Sequence, residues 1–252
     1  MSLVRIGTAG WALPRDVASR FPEGGSALER YAARFTAAEI NSSFHRPHRP
    51  ATWARWAESV PDGFRFAAKI PRTITHDLKL VGVEVELDSF LGSVAVLGAK
   101  LGPLLVQLPP KLAFEAEPAG QFLRLLRQRH AGPVVAEPRH PSWFTEEADL
   151  LLREHHIARV AADPARVAAA AEPGGWPGLV YHRLHGSPRT YYSAYGPAYL
   201  DALATRLSAA TVEAWCIFDN TASGAATGNA LDVLERLDSD ERRPRQDRVP
   251  RP

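Results

Sequence analysis

The chain has 252 residues, 45% of them hydrophobic, and a formal net charge of +2. This length suits one large α/β barrel or two small domains, and the near-neutral charge argues against extensive duplex DNA binding, which normally needs a basic face. The sequence has no run of roughly 18 apolar residues, no signal-peptide pattern and no cysteine besides Cys216, so we expect a cytoplasmic protein without membrane contact or an internal disulfide.

Eight apolar segments of strand length recur along the chain, and most are followed by a segment with helical character. Ser26, with Glu29 three residues later, has the spacing of a capping box and predicts the start of the first such helix. Alternation of this kind predicts a parallel α/β sheet, and eight repeats predict a TIM-barrel-like (β/α)8 domain. The predicted strands span 4–11, 37–44, 64–71, 103–109, 134–141, 157–164, 179–186 and 213–220.

The sixth repeat is the weakest, because residues 166–176 offer only a short helix. An open doubly wound sheet is the alternative, but no strand is followed by a glycine-rich phosphate loop, so no nucleotide cofactor is predicted. We expect a single domain over residues 1–237. Residues 238–252 mix both charge signs with proline and predict a disordered charged tail.

Polar or aromatic side chains follow the apolar segments at their C-terminal ends. Side chains two residues apart share a face of a strand, whereas His182 alternates away from its neighbours and should pack against a helix. If the barrel forms, these strand ends meet at one rim. The candidates are Trp11, Glu39, Asn41, Lys69, His76, Gln107, Glu137, Arg139, Asp163, Arg183, His185 and Asn220.

Residues 134–143 form the most informative segment, because an apolar strand turns there into charge. Glu137 and Arg139 fall on one face, Pro141 ends any strand pairing, and Trp143 follows. Buried charges are costly unless they are paired or used. The two side chains therefore indicate either a shared site or an ion pair that only closes the barrel top.

The loop after the seventh strand, residues 187–197, carries three tyrosines, one arginine and two prolines. Tyr191 and Tyr192 in it predict a lid or a ligand-contact surface. A loop that packs on itself is the alternative, because tyrosine often covers apolar surface.

The chain resembles the domain-of-unknown-function family 72, also called the YecE-like family, from Ile6 to Leu237. The resemblance implies a TIM-barrel-like fold, and it implies family motifs on ten of the polar candidates: Glu39, Asn41, Lys69, His76, Gln107, Glu137, Arg139, Arg183, His185 and Asn220. In one departure, Asp219 replaces the first of two asparagines in the last motif. The matching motifs are IGTAGW, YAARFTAAEINSSFHRP, FRFAAKIPRTITH, GPLLVQLPP, VVAEPRHPSW, YHRLHG and IFDNTASGAATGNAL.

We interpret the rim as the site of an enzyme for a small anionic, phosphate-bearing substrate. Lysine and arginine can clamp phosphate, and a carboxylate such as Glu137 or Glu39 can serve as a general base, with Asp163 and His185 as further catalytic candidates. A divalent metal is compatible with the same four catalytic candidates, although no HxH or HExxH spacing occurs. A hydrolase, lyase or isomerase would fit this pattern.

Two alternatives stay open. A nucleic-acid-binding or nuclease-like module could use aromatic side chains as stacking surfaces beside the basic groups. A sugar or sugar-phosphate enzyme could use the paired carboxylates and rim tryptophans. The aromatic candidates for ligand contact in these readings are Trp11, Trp143, Tyr191 and Tyr192, with Tyr195 as a further stacking surface in the nucleic-acid reading.

Overall fold

The computed structural model describes the backbone of residues 4–242 and the side chains of residues 4–239. The strands are β1 Val4–Thr8, β2 Ala37–Ile40, β3 Arg65–Lys69, β4 Leu101–Gln107, β5 Val134–Glu137, β6 Ile157–Arg159, β7 Ala161–Asp163, β8 Gly174–Gly175, β9 Val180–Leu184 and β10 Ala214–Phe218. The α-helices are α1 Ala27–Ala32, α2 Pro50–Glu58, α3 Glu84–Val94, α4 Ala116–Arg129, α5 Glu146–Glu154, α6 Pro197–Ser208 and α7 Ala225–Arg242.

The strands form two hydrogen-bonded sheets whose pairs are parallel except for β6 with β8. One sheet has the order β2-β3-β4-β5-β6-β8 and the other β1-β10-β9-β7. A parallel bridge between Ala9 and Glu39 connects them at one side. At the other side β6 passes through Val160 into β7. The arrangement is TIM-barrel-like, as the sequence predicted.

Alternation along the strands separates two apolar cores. A small core inside the barrel contains alternate strand residues such as Leu105, Val135 and Tyr181, whereas a larger core lies between the sheets and the helices. Gly7 belongs to a tight place between β1 and β2, because a side chain there would overlap the carbonyl group of Ala37. Strand alternation therefore directs every second residue toward the barrel axis.

The local signals of the sequence are realised at α1. The Ser26 hydroxyl accepts from the backbone N–H of Glu29, and the Glu29 carboxylate accepts from the backbone N–H of Ser26. The weak sixth repeat contains only the 3₁₀ helix Ala168–Ala171 after its strands. No helix in residues 4–242 combines the length and apolar character needed to cross a membrane.

Helix α7 continues to Arg242, five residues past the predicted domain boundary at residue 237, and the boundary itself stays a prediction. Residues 243–252 of the predicted tail lie outside the described residues. Strand lengths also differ from the prediction. The fifth strand ends at Glu137, since the following Pro138 has no N–H to donate to a neighbouring strand.

Candidate functional site

Arg183 lies at the centre of a buried group of ions at the C-terminal ends of the strands. Its Nη2 lies 2.7 Å from Glu39 Oε1, and its Nε donates to both oxygens of Glu39. Its Nη1 lies 3.1 Å from Glu137 Oε2, and its Nη2 lies 3.0 Å from Asp219 Oδ2. We call Glu39, Glu137, Arg183, His185 and Asp219 the Arg183 cluster.

Glu137 is held as a carboxylate by four neighbouring side chains. Gln107 Nε2 donates to its Oε2 at 2.8 Å beside Arg183, and Arg139 Nη2 donates to its Oε1 at 3.1 Å beside His185. Burial raises the pKa of Glu137, but the charges of His185, Arg183 and Arg139 outweigh burial and hold this pKa well below 4.5. Both oxygens of Glu137 are thus engaged.

His185 lies between two carboxylates of the cluster. Its Nε2 is 2.8 Å from Glu137 Oε1 and its Nδ1 is 3.0 Å from Asp219 Oδ2. Ionised carboxylates only accept hydrogen bonds, so both ring nitrogens donate and the ring is an imidazolium. Burial lowers the pKa of His185. Glu137 and Asp219 raise this pKa by more than burial lowers it, so the net shift is upward. Arg139 Nη2 lies 3.4 Å from His185 Nε2, and both atoms donate to the same oxygen of Glu137, Oε1.

Lys69, the last residue of β3, contributes an amine that differs from the other cations. Its Nζ lies 4.0 Å from the centroid of the Phe44 ring, and its backbone carbonyl accepts from the Ser43 hydroxyl at 2.7 Å. Within the described residues Nζ makes no hydrogen bond or ion pair. Burial and the nearby Arg183 lower the pKa of Lys69 to about 8, although the cluster carboxylates oppose this shift.

His76 lies beside Lys69 in the π-helical turn Thr73–Asp77. Its ring centroid is 5.0 Å from that of Phe44, and its Nδ1 is 2.9 Å from the Thr75 hydroxyl. Burial, Arg72 and Lys69 lower the pKa of His76. The ring is therefore mostly neutral near pH 7, since the ordinary value is 6.5.

A cavity of about 200 Å³ opens beside the cluster. Glu137, Arg139 and His185 form one part of its lining, and Arg166 and Thr190 belong to the other. The Arg139 side chain is 19% exposed, so it is accessible to a ligand while it stays bonded to Glu137. Arg166 is exposed and has no ion pair among residues 4–239.

The amide and tryptophan candidates have different surroundings. Asn41 donates to Asp219 Oδ1 at 3.3 Å and accepts from Arg183 at 3.5 Å, so it belongs to the edge of the cluster. Asn220 instead donates to Ser193 O and Asn229 Oδ1, which fixes the loop after β9. The partly buried Trp11 packs with edge-to-face geometry on Trp56 and Phe66.

The two loop tyrosines are exposed, as a ligand-contact surface requires. Tyr191 has a φ of 70° and its ring lies edge-on to His185, with centroids 5.8 Å apart. Burial lowers the pKa of Arg139, whereas Glu137 and Tyr191 raise it above its ordinary value. The guanidinium of Arg189 lies 3.8 Å from the Tyr192 ring centroid.

Two candidates lie apart from the cluster, and their predicted positions are corrected. Asp163 is on the outer face of β7, where its Oδ1 accepts from the buried Tyr195 hydroxyl at 2.8 Å. Trp143 is buried, and its indole N–H donates to Leu112 O at 3.0 Å. Asp163 therefore does not join the other predicted carboxylates, and Trp143 offers no face for stacking.

The possible metal set is likewise not assembled. Glu39, Glu137 and His185 are bound to Arg183, to Arg139 or to one another, and Asp163 faces elsewhere. Residues 4–239 contain no group of three or more histidine, cysteine or carboxylate side chains placed to hold a metal ion.

Two members of the site need separate mention: Asp219, which the sequence marked only as a departure in the last family motif, and Tyr181, which was missed. Asp219 binds both Arg183 and His185, and the Tyr181 hydroxyl donates to Glu39 Oε2 at 3.0 Å. Period two along β9 could have found Tyr181, because it shares a face with Arg183. The structure brings the remaining polar candidates together except Asn220, which serves the adjoining loop.

Comparisons with known proteins agree with this fold. UPF0759 protein YecE of Escherichia coli (strain K12) is 32% identical over 174 residues, which cover 67% of this chain and 62% of that protein, less than two thirds of its length. The crystal structure of a DUF72 family protein from Enterococcus faecalis V583 matches with a TM-score of 0.79 and 22% identity over 94% of this chain and 96% of that chain.

More distant similarity is confined to the fold. A D-psicose 3-epimerase from Clostridium cellulolyticum H10, whose structure contains D-tagatose, matches with a TM-score of 0.54 and 8% identity over 94% of this chain and 98% of that chain. The family model described as "Protein of unknown function DUF72" matches residues 5–252. The chain therefore belongs to the DUF72 family.

Proposed function

We propose that this protein is an enzyme that binds a small anionic, phosphate-bearing ligand beside the Arg183 cluster. The observation that carries the proposal is the local charge balance. Three carboxylates, Glu39, Glu137 and Asp219, face three cations, Arg183, Arg139 and the imidazolium of His185. Lys69 and Arg166 are two further cations near these six groups. The site therefore has an excess of positive charge that an anion would neutralise.

The accessible donors favour phosphate. Arg139 reaches Glu137 with Nε and Nη2 and also contacts Tyr191, and its partly exposed guanidinium lines the cavity, where a ligand can reach it. Arg166 lines the same cavity from the segment after β7. Planar guanidinium groups bind phosphate oxygens in pairs, and a partly desolvated site strengthens such bonds.

Proton transfer falls to Lys69 and His76, which the cluster carboxylates do not bind directly. Glu137 is a poor base, because four side chains hold it ionised and engaged. Lys69, with a pKa of about 8, and the neutral His76 ring can exchange a proton near pH 7. We therefore assign Glu137 to positioning Arg139 and His185.

Calorimetric titration with inorganic phosphate and with sugar phosphates tests the proposal. We expect binding to weaken at least tenfold in Arg139→Gln, since this change replaces the charged guanidinium with a neutral amide that can still form hydrogen bonds. Arg34→Gln is the matched control, because Arg34 is exposed and precedes β2 at the opposite end of the strands. Equal binding by both variants, or binding of only neutral sugars or oligonucleotides, would refute the anion site.

A further inference from the structure

We propose that Lys69 is a nucleophile that forms an imine with a ligand carrying both a carbonyl group and a phosphate. This inference rests on the proposed function and narrows its substrate class to small phosphorylated aldehydes and ketones. It is carried by the placement of Lys69, whose side chain is buried and whose Nζ lies against the Phe44 ring, beside a cluster of carboxylates, with no acceptor of its own among the described residues.

The chain has four lysines, and the surroundings of Lys69 differ from those of the other three. Lys100 Nζ is 3.0 Å from Asp62 Oδ1 and also donates to backbone carbonyls, so its donors are engaged. Lys79 and Lys111 are exposed. Only Lys69 combines burial with a free Nζ in residues 4–239, and burial lowers the pKa of its amine to about 8. A useful fraction of the amine is thus uncharged near neutral pH.

Two contacts fix the direction of the Lys69 side chain. Its backbone is held by the Ser43 hydroxyl, which also donates to Ile40 O at 2.9 Å, and its end rests on the Phe44 ring. Fixing both ends of a long flexible side chain reduces the entropy lost when a ligand reacts with it. The Nζ position is consequently set before a ligand arrives.

The neighbouring groups supply the proton transfers that the reaction needs. The lone pair of the uncharged Nζ attacks the carbonyl carbon, and the C=O π electrons move to oxygen. His76 accepts a proton from Nζ and passes it to that oxygen, which gives a neutral carbinolamine. A second proton, taken up from solvent through His76, converts the hydroxyl group to water, which leaves while the nitrogen lone pair forms the C=N bond, so one proton is taken up overall. Both His76 and Lys69 contact the Phe44 ring, which places the two groups together.

The surrounding charges stabilise the product, a protonated imine. Glu39, Glu137 and Asp219 each favour the positive charge at Lys69, whereas Arg183 opposes it. Lys69 ends β3 and Glu137, which binds Arg139, ends β5, with only β4 between them, so a phosphate at Arg139 and a carbonyl at Lys69 can belong to one small molecule. A protonated imine withdraws electrons from the adjacent carbon, which favours removal of a proton there.

Reductive trapping on the full chain tests this inference. The protein is incubated with dihydroxyacetone phosphate at a pH near 8, the pKa of Lys69, reduced with sodium borohydride and mapped by peptide mass spectrometry over all four lysines. We expect one adduct per chain, at least tenfold enriched at Lys69. Lys69→Arg should abolish it while keeping the charge, and the matched control Lys79→Arg should retain it.

Glycerol 3-phosphate separates this inference from the proposed function, because it carries the phosphate but no carbonyl group. If it binds in calorimetry while no adduct forms at Lys69, the imine is refuted and the anion site stands. If neither binding nor trapping occurs, both proposals fail. Equal labelling of Lys79, Lys100 and Lys111 would also refute a specific nucleophile.

Discussion

The Arg183 guanidinium forms a two-point ion pair with Glu39 at 2.7 Å, and both side chains are fully buried. Removing one member of such a pair leaves an uncompensated charge in a low-dielectric interior. We expect Arg183→Leu to lower the free energy of unfolding by about 3–5 kcal/mol in urea denaturation followed by circular dichroism.

Arg236→Leu is the control for this change, because Arg236 pairs with Asp201 at the surface. Exposed pairs contribute about 0–1 kcal/mol, so this variant should unfold close to the unaltered protein. Losses of similar size in the two variants would mean that the buried pair is not a stabilising centre.

His182 is expected to make the protein sensitive to acid. Burial and then Arg206 lower the pKa of His182 to about 4, from 6.5. Between these values the unfolded chain binds more protons, so stability falls as the pH falls from about 7 toward 4, by about 3 kcal/mol at most. Thermal unfolding of His182→Gln between these limits should show a flatter pH dependence, and an unchanged slope would contradict the assignment.

Asp163 should matter for stability and not for the ligand. Asp163→Ala removes the side-chain acceptor of the buried Tyr195 hydroxyl, which keeps the Asp163 backbone carbonyl at 3.1 Å, and a typical hydrogen bond contributes about 0.5–1.5 kcal/mol. We expect a loss in that range in chemical denaturation, with phosphate affinity within twofold of the original. Lost affinity at unchanged stability would return Asp163 to the catalytic candidates.

Two glycines should respond to alanine with opposite signs. Gly7→Ala places a methyl group into the Ala37 carbonyl and should destabilise by about 1–3 kcal/mol or more. Gly92→Ala lies within α3, where nothing obstructs the methyl group, and should stabilise by about 0.5–1 kcal/mol. Differential scanning calorimetry of both variants measures the difference, and shifts of equal sign would contradict the packing at Gly7.

The pairs that share a strand face were predictable because strand geometry fixes alternation. Period two brings Glu137 with Arg139 and Arg183 with His185 to one rim, and the same rule directs His182 outward to the helix side. The fold was predicted from eight repeats and from the family resemblance, and the structure and the family match confirm the TIM-barrel-like fold and the family.

Asp163 shows where that reasoning failed. Its position at a strand end predicted a rim residue, but the inward alternation of Ala158, Val160 and Ala162 leaves Asp163 outside. Trp143 could not be placed, because its burial depends on Phe114 and Leu112 from a distant segment. The sequence could not predict that Lys69 Nζ has no acceptor, since the distances from Nζ to possible acceptors are set only when the strand ends meet in the fold.

The ion pairs of Arg183 also run between the two hydrogen-bonded sheets. Glu39 and Glu137 belong to the six-stranded sheet, whereas Arg183 and Asp219 lie on strands of the four-stranded sheet or directly after them. Opening either sheet alone would leave charged side chains of both sheets unpaired in an apolar interior. The barrel should therefore unfold as one cooperative unit, and the amides of β2 and β9 should exchange hydrogen with the same free energy of opening.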